Sequence, residues 1–251
     1  MCRRINIALP RYSAQLLFHS PYKSKSCKGN EYWLVEEYVS GITASKVDDE
    51  HKKWFVEELH VAMEKLAKHG IIHNDIKLEN IIVNITDKRL YLIDYEFANK
   101  LGRSSGSTGG TRMYRAPELV YRCYQHKRSK YPRDLRTDTW SLGVLLYILY
   151  TNRRLFRTHH VKRMHKNYSH RMNMCRFSPT INKMWEEGTI HRVWRSHNKI
   201  LKVEKELIRN QIRKHAIPGD IKRLIKKYLT IDIQKRPIIK KYQFSQPSRN
   251  S

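Results

Sequence analysis

The stretch Ile71–Asn80, IIHNDIKLEN, decides how the chain is read. It follows an amphipathic segment and precedes two short β-forming runs, so Asp75, Lys77 and Asn80 fall in one tight polar loop. A carboxylate, an ammonium and an amide therefore converge within a few residues. Asp94 arrives at the far end of the following hairpin, which is predicted as Ile81–Ile85 and Leu90–Ile93 with Thr86-Asp87-Lys88 as its turn. This set suits phosphoryl transfer. The carboxylate can accept a hydroxyl proton, the ammonium can neutralise phosphate charge, and Asn plus Asp can hold Mg²⁺ through hard oxygen donors. A polar turn before a hairpin contains the same residue types, so the wider pattern has to decide.

Working outward, the segment before the loop has its apolar residues at helical spacing: Phe55, Leu59, Ala62 or Met63, and Leu66. Asp48 or Asp49 is the expected cap and Gly70 the expected stop. Upstream, Leu16, Leu17 and Phe18 read as a short strand, Pro21–Asn30 as a loop, and Glu31–Val39 as a strand rich in aromatic and β-branched residues. Downstream, Leu101–Thr111 is rich in Gly, Ser and Thr and reads as a loop. A helix starting at Thr137 or Asp138 and running to about Tyr150 is apolar nearly all round, so it should be buried. Val203–Lys214 carries the stripe Val203, Leu207, Ile208 and Ile212. Asp220 is the expected cap of a last helix with Ile221, Leu224, Ile225 and Tyr228 inside.

Composition bounds the reading. The chain has 251 residues, enough for one domain with a sizeable core, and 40% are apolar. Lys plus Arg number 50 against 23 Asp plus Glu, a formal charge of +27. That excess attracts polyanions, although the cations are spread along the chain and also fit a generally basic, solvated surface. Cys2, Cys27, Cys123 and Cys175 form no C-x-x-C pair, which fits free thiols in a reducing compartment. Met1–Ile5 is positive but lacks an apolar stretch after it, so no secretion signal is expected. The longest apolar run, Leu142–Tyr150, is too short to span a bilayer. The expectation is an intracellular protein, in cytoplasm, nucleus or both.

Five motifs in order now bear on the family. His73-Asn74-Asp75-Ile76-Lys77-Leu78-Glu79-Asn80 resembles the catalytic loop of eukaryotic protein kinases, H-R-D-x-K-x-x-N. Asp94-Tyr95-Glu96 stands where that family has Asp-Phe-Gly, and Ala116-Pro117-Glu118 matches the A-P-E that closes the activation segment. Asp138–Gly143 looks like the start of the buried helix beneath the catalytic loop. Lys235-Arg236-Pro237 resembles the late Arg that pairs with the A-P-E Glu. Within the family, the His-Asn-Asp reading is similar to the small kinases of insect large DNA viruses, the baculovirus type.

The resemblance, which covers about residues 14 to 240, implies an α+β, protein-kinase-like fold: mostly the helical C-terminal lobe, with a remnant of the N-terminal β-lobe. It places that remnant at 1–35, a hinge at 36–41, the C-lobe at 42–240 and a tail at 241–251. Within the lobe lie a catalytic loop at 73–80, an activation segment at 94–118 and a basic insertion at about 157–215. It implies Ser/Thr kinase activity with ATP and Mg as cofactors. Asp75 would be the catalytic base, Lys77 would contact the transferred phosphate, and Asn80 and Asp94 would bind Mg²⁺. Ile82 would pack under the adenine, and the backbone of Glu37 and Val39 would face its edge. Glu118 and Arg236 would form a structural ion pair, and Asp138 would brace the catalytic loop. Thr111, in the Gly110–Arg115 run, would bond near Asp75 and Lys77, as in the Ser/Thr branch.

The chain departs from the pattern in several places. The residues before the hinge contain no G-x-G-x-x-G and no V-A-I-K, and Lys23, Lys25 and Lys28 are weak substitutes in a polar loop. Asn74 replaces the Arg that reads a phosphorylated activation loop, so modification of Ser104, Ser105, Ser107 or Thr108 is not the expected switch. Glu96 replaces Gly, and Glu36 holds the position behind the adenine, where a buried charge is costly unless paired.

A catalytically impaired mimic that binds a host kinase or its substrate is the competing reading; nucleic-acid binding through charge is a third. The expected partners are therefore a protein substrate, basic or nucleic-acid-associated, a kinase or a small lobe supplied in trans, and nucleic acid, with no membrane. An apolar partner surface is expected around Ile82 and the hinge.

Overall fold

The computed structural model describes residues 9–19, 34–102, 104–105, 110–119, 131–132, 134–155, 205–206 and 208–244. All four cysteines, Lys23, Lys25, Lys28, Ser107, Thr108 and nearly all of the basic 157–215 stretch lie outside these residues. The chain forms two compact units. One comprises 1–73, 78–101 and 239–251; the other comprises 74–77 and 102–238.

In the first unit, β1 (Leu16–His19) pairs antiparallel with β2 (Leu34–Glu36), with an irregularity between Leu16 and Phe18. The second predicted strand is thus shorter than Glu31–Val39 at its C-terminal end, and Glu37–Ser40 continue without strand pairing. Next come β3 (Ile42–Thr43) and helix α1 (Lys52–Lys68). The apolar stripe of α1 is buried as its spacing demands, with Phe55, Leu59, Ala62, Met63 and Leu66 all at 2% exposure or less. Each of the larger side chains contributes about 1.5–3 kcal/mol on burial.

The expected cap is corrected. His51 precedes the first helical residue, and no side chain caps it. Asp48 instead closes the preceding turn, accepting bonds from His51 N (3.0 Å) and His51 Nδ1 (2.6 Å). Gly70 ends α1 in the left-handed conformation (φ +64°), which a Cβ disfavours.

β4 (Ile71–Ile72) then leads into the catalytic-loop motif. β5 (Ile81–Asn84) and β6 (Arg89–Leu92) form the predicted hairpin, and β3 completes a sheet of order β3-β5-β6. β4 pairs with β7 (Asn99–Lys100). The segment 239–244 belongs to this unit rather than hanging as a free tail. Phe244 N donates to Glu57 Oε1 (2.9 Å), and the Tyr242 ring lies 5.3 Å from that of His60, which is fully buried.

The second unit is built on α2 (Arg136–Thr151), preceded by the short pair β8 (Ser104–Ser105) and β9 (Tyr131–Pro132). α2 is buried along most of its length, as its all-round apolar character requires. Gly143 on α2 meets Leu229 and Tyr228, so an added Cβ would sit only 3.0 Å from them. A helical segment spans 205–206 and 208–213 and buries Ile208 and Ile212. α3 (Gly219–Tyr228) buries Ile221, Ile225 and Tyr228, and leaves Leu224 half-buried. Asp220 does not cap α3. Pro218 occupies that position, two residues earlier than expected, and Asp220 sits in the first turn, where its Oδ1 accepts a bond from Ile221 N (2.9 Å). No described helix is long and apolar enough to cross a membrane.

Candidate active site

The second unit holds the first cluster. Asp75 is 3% exposed and lies in the 74–77 segment. Its Oδ2 accepts a bond from Lys77 Nζ (2.9 Å), and its Oδ1 accepts one from the backbone N–H of Thr111 (2.6 Å). Lys77 Nζ also donates to Thr111 Oγ1 (3.0 Å), which closes a triangle. Burial alone would push the Asp75 carboxyl up. The bonds from Lys77 and Thr111 outweigh it and hold the carboxyl below its usual range, so it is ionised at neutral pH. Lys77 makes no further hydrogen bond among the described residues and keeps a donor for an anion.

Two residues that sequence reasoning did not single out hold this triangle. Gly110 has φ +71°, and a Cβ there would collide with the carbonyl oxygen of Asn74. Only glycine lets the chain cross the catalytic loop this closely and deliver Thr111. Arg115 then clamps the crossing: its Nε (3.2 Å) and Nη2 (2.7 Å) both donate to Gly110 O. A Gly directly before the Thr was a signal for the close approach, but nothing local marked Arg115.

Behind the loop, Asp138 Oδ1 accepts the N–H of Asn74 (2.9 Å), the bracing expected of it. Asn74 itself is left-handed (φ +64°), a conformation Asn tolerates better than most residues. Arg236 and Glu118 form a bidentate pair (2.8 and 3.0 Å). Arg236 also donates to Thr230 O (2.8 Å) and Arg136 O (2.9 Å), and its guanidinium lies 5.0 Å from the Trp140 ring centroid.

The first unit holds the second cluster. Asn80 is 5% exposed, and its Nδ2 stands 3.4 Å from Asp94 Oδ2, a long contact. Asp94 is exposed and left-handed (φ +62°). An amide and a carboxylate side by side offer the hard oxygen donors that Mg²⁺ takes. His73, fully buried, donates from Nε2 to Ile93 O (3.1 Å) and lies 4.7 Å from the Tyr95 ring, and so fixes the backbone just before Asp94. Glu96 is exposed.

Ile82 is half-buried in β5, with Thr43 and Tyr91 as its strand partners. Glu37 N donates to Gln15 O (2.8 Å), which ties the stretch after β2 to β1, and Val39 is half-buried. Glu36 departs from expectation. It is exposed rather than buried, because β2 pairs with β1 alone among the described residues, although partial desolvation still raises its carboxyl. Leu17, Val35 and Tyr38, at 62%, 45% and 89% exposure, make the β1–β2 region notably apolar at its surface.

Comparison with known proteins identifies the family and the fold. The family profile described as protein kinase domain matches residues 21–245. Among curated relatives, serine/threonine-protein kinase 1 of Heliothis zea nuclear polyhedrosis virus is 36% identical over 123 residues, covering 46% of this chain and 42% of the relative. Serine/threonine-protein kinase sck2 of Schizosaccharomyces pombe is 27% identical over 147 residues, covering 55% and 22%. The chain spans less than half the length of the curated relatives it matches. Among solved structures, the Cydia pomonella granulovirus kinase PK-1 aligns with a TM-score of 0.57 at 19% identity, over 94% of this chain and 74% of that one, a likeness of fold.

Proposed function

The chain belongs to the protein kinase family, and from that premise we propose that it transfers the γ-phosphate of Mg-ATP to a Ser or Thr hydroxyl of a protein. The observation that carries this reading is the Asp75–Lys77–Thr111 triangle. It presents an ionised carboxylate and an adjacent ammonium with donor capacity to spare.

In this mechanism Asp75 orients the attacking hydroxyl and accepts its proton. A strong base is not required, because the transition state for phosphoryl transfer is loose and positioning does most of the work. Lys77 spreads positive charge over the transferred group's oxygens while its bond to Asp75 keeps the carboxylate in place. Thr111 fixes both side chains at once, through its N–H and its hydroxyl. Asn80 and Asp94 are the groups that would hold Mg²⁺, which neutralises phosphate charge when bound. Ile82 and the backbone of Glu37 and Val39 would receive the adenine.

The test uses the purified chain with Mg²⁺, ATP and a basic acceptor protein, beside Asp75→Asn. Phosphate transfer that vanishes in Asp75→Asn is expected. Equal background from both proteins would overturn the enzyme reading and favour the mimic that binds a kinase or its substrate.

A further inference from the structure

A groove of about 540 Å³ lies in the second unit, and none of its described lining residues is one discussed above as catalytic. Its walls are the helical residues 205–206 and 208–213, α3 and the stretch 229–235 that follows α3. Its floor is apolar: Ile208, Ile212 and Leu229 line it and are at most 4% exposed. Its rim is cationic. Lys205, Arg209 and Lys226 line it, all exposed, and none of the three has an ion pair among the described residues. A fourth cation, Lys235, faces Asp232, the single acid among the described residues of the lining, at 3.8 Å.

The two halves of this lining ask for different things. An apolar floor is relieved only by an apolar occupant. Cations brought together on separate elements repel one another, and several negative charges in the right places relieve them. One occupant supplies both: a polypeptide segment with a large aliphatic or aromatic side chain between carboxylates. Single-stranded nucleic acid fits less well, because bases seek aromatic faces to stack on and none of the described residues that line the groove is aromatic. A single-chain lipid brings apolar length but only one charge for several cations.

We propose that this groove docks an acidic segment of a partner protein, with its apolar side chain on Ile208, Ile212 and Leu229 and its carboxylates on Lys205, Arg209 and Lys226. The proposal is independent of catalysis, since the docking is read without ATP.

The experiment follows the anisotropy of a fluorescein-labelled peptide of alternating Leu and Glu on titration with the full chain. A peptide with Lys in place of Glu, an oligothymidylate and phosphatidylserine vesicles are compared in parallel. The acidic peptide should bind and its Lys counterpart should not. The double substitution Arg209→Glu with Lys226→Glu, at exposed positions that leave the fold intact by circular dichroism, should weaken binding by about tenfold or more. Ile208→Ala should weaken it as well. The proposal fails if the peptide does not bind, if the double variant binds it as tightly as the parent, or if oligothymidylate or vesicles bind more tightly through the same two cations.

Discussion

Arg236–Glu118 and Lys77–Asp75 are both charge pairs of the second unit, and both lie largely out of water, with side-chain exposures of 0% and 14% for the first and 19% and 2% for the second. They differ in what is left over. Arg236 spends its fork on Glu118 and its remaining donors on backbone carbonyls, with the Trp140 ring alongside. Lys77 divides one ammonium between Asp75 and Thr111 and stays partly exposed. A saturated pair resists change and holds elements together. A pair with a donor in reserve can exchange partners during a reaction. Under the proposed function, the same Coulomb attraction would serve anchoring in one place and turnover in the other, and bond counting tells the two pairs apart where burial does not.

Substitution can break that contrast. The largest effect expected is on rate: Asp75→Asn should lower phosphate transfer by roughly 10²–10⁴-fold, as loss of a positioned general base does. Thermal denaturation should show that this variant stays folded. Next is Arg236→Met, which leaves Glu118 without its partner and should cost about 3–5 kcal/mol in urea unfolding. Adding Glu118→Gln to it should recover part of that loss, because no uncompensated charge remains. If Asp75→Asn were the more destabilising and Arg236→Met the more damaging to turnover per folded molecule, the division of labour would be reversed.

His60 extends the comparison to a buried group kept neutral. Burial pushes its imidazole down to about 4, and the bond to Val56 O offsets this only in part. Between its ordinary 6.5 and that value the unfolded chain takes up a proton that the folded chain refuses. Stability should therefore fall as the pH drops from 7, with a total loss of about 3 kcal/mol below pH 4. His60→Leu should flatten that fall between pH 7 and 5, where the unfolded carboxylates have yet to protonate, in parallel denaturation series. The smallest effect should come from Arg115→Ala. Removing the clamp on Gly110 should cost about 1.5–3 kcal/mol, as charged hydrogen bonds do, and should lower kcat more than it raises the KM for ATP.

Much of this was legible in the residues. Asp75, Lys77, Asn80 and Asp94 stood out because the proposed chemistry dictates residue type and spacing together, whereas Glu118 and Arg236 were reached only through the resemblance to the kinase motifs. The stripe of α1 and the all-round apolar α2 were readable because burial leaves a period in the sequence. The caps were not. Asp48 and Asp220 have the right side chain near the right place, but a cap is decided by a shift of one to three residues, within reach of any short polar side chain. Arg115 was silent because its partner is a backbone carbonyl, which every residue has. Glu36 was misjudged because burial of a strand depends on what lies beside it, which local composition does not record.

The first unit takes its residues from both ends of the chain, since 239–244 closes over the same helix that 9–73 builds. During synthesis that helix leaves the ribosome early, and its last covering arrives only after the whole second unit has been made. At about 5–20 residues per second, the His60 face waits roughly 10–35 seconds for Tyr242 and Phe244. A ribosome that stops before residue 239 releases a chain in which the catalytic-loop motif is complete but the first unit lacks its closing segment. A chain cut there should unfold at lower urea than one that carries 239–244, because Tyr242 and Phe244 no longer cover that face.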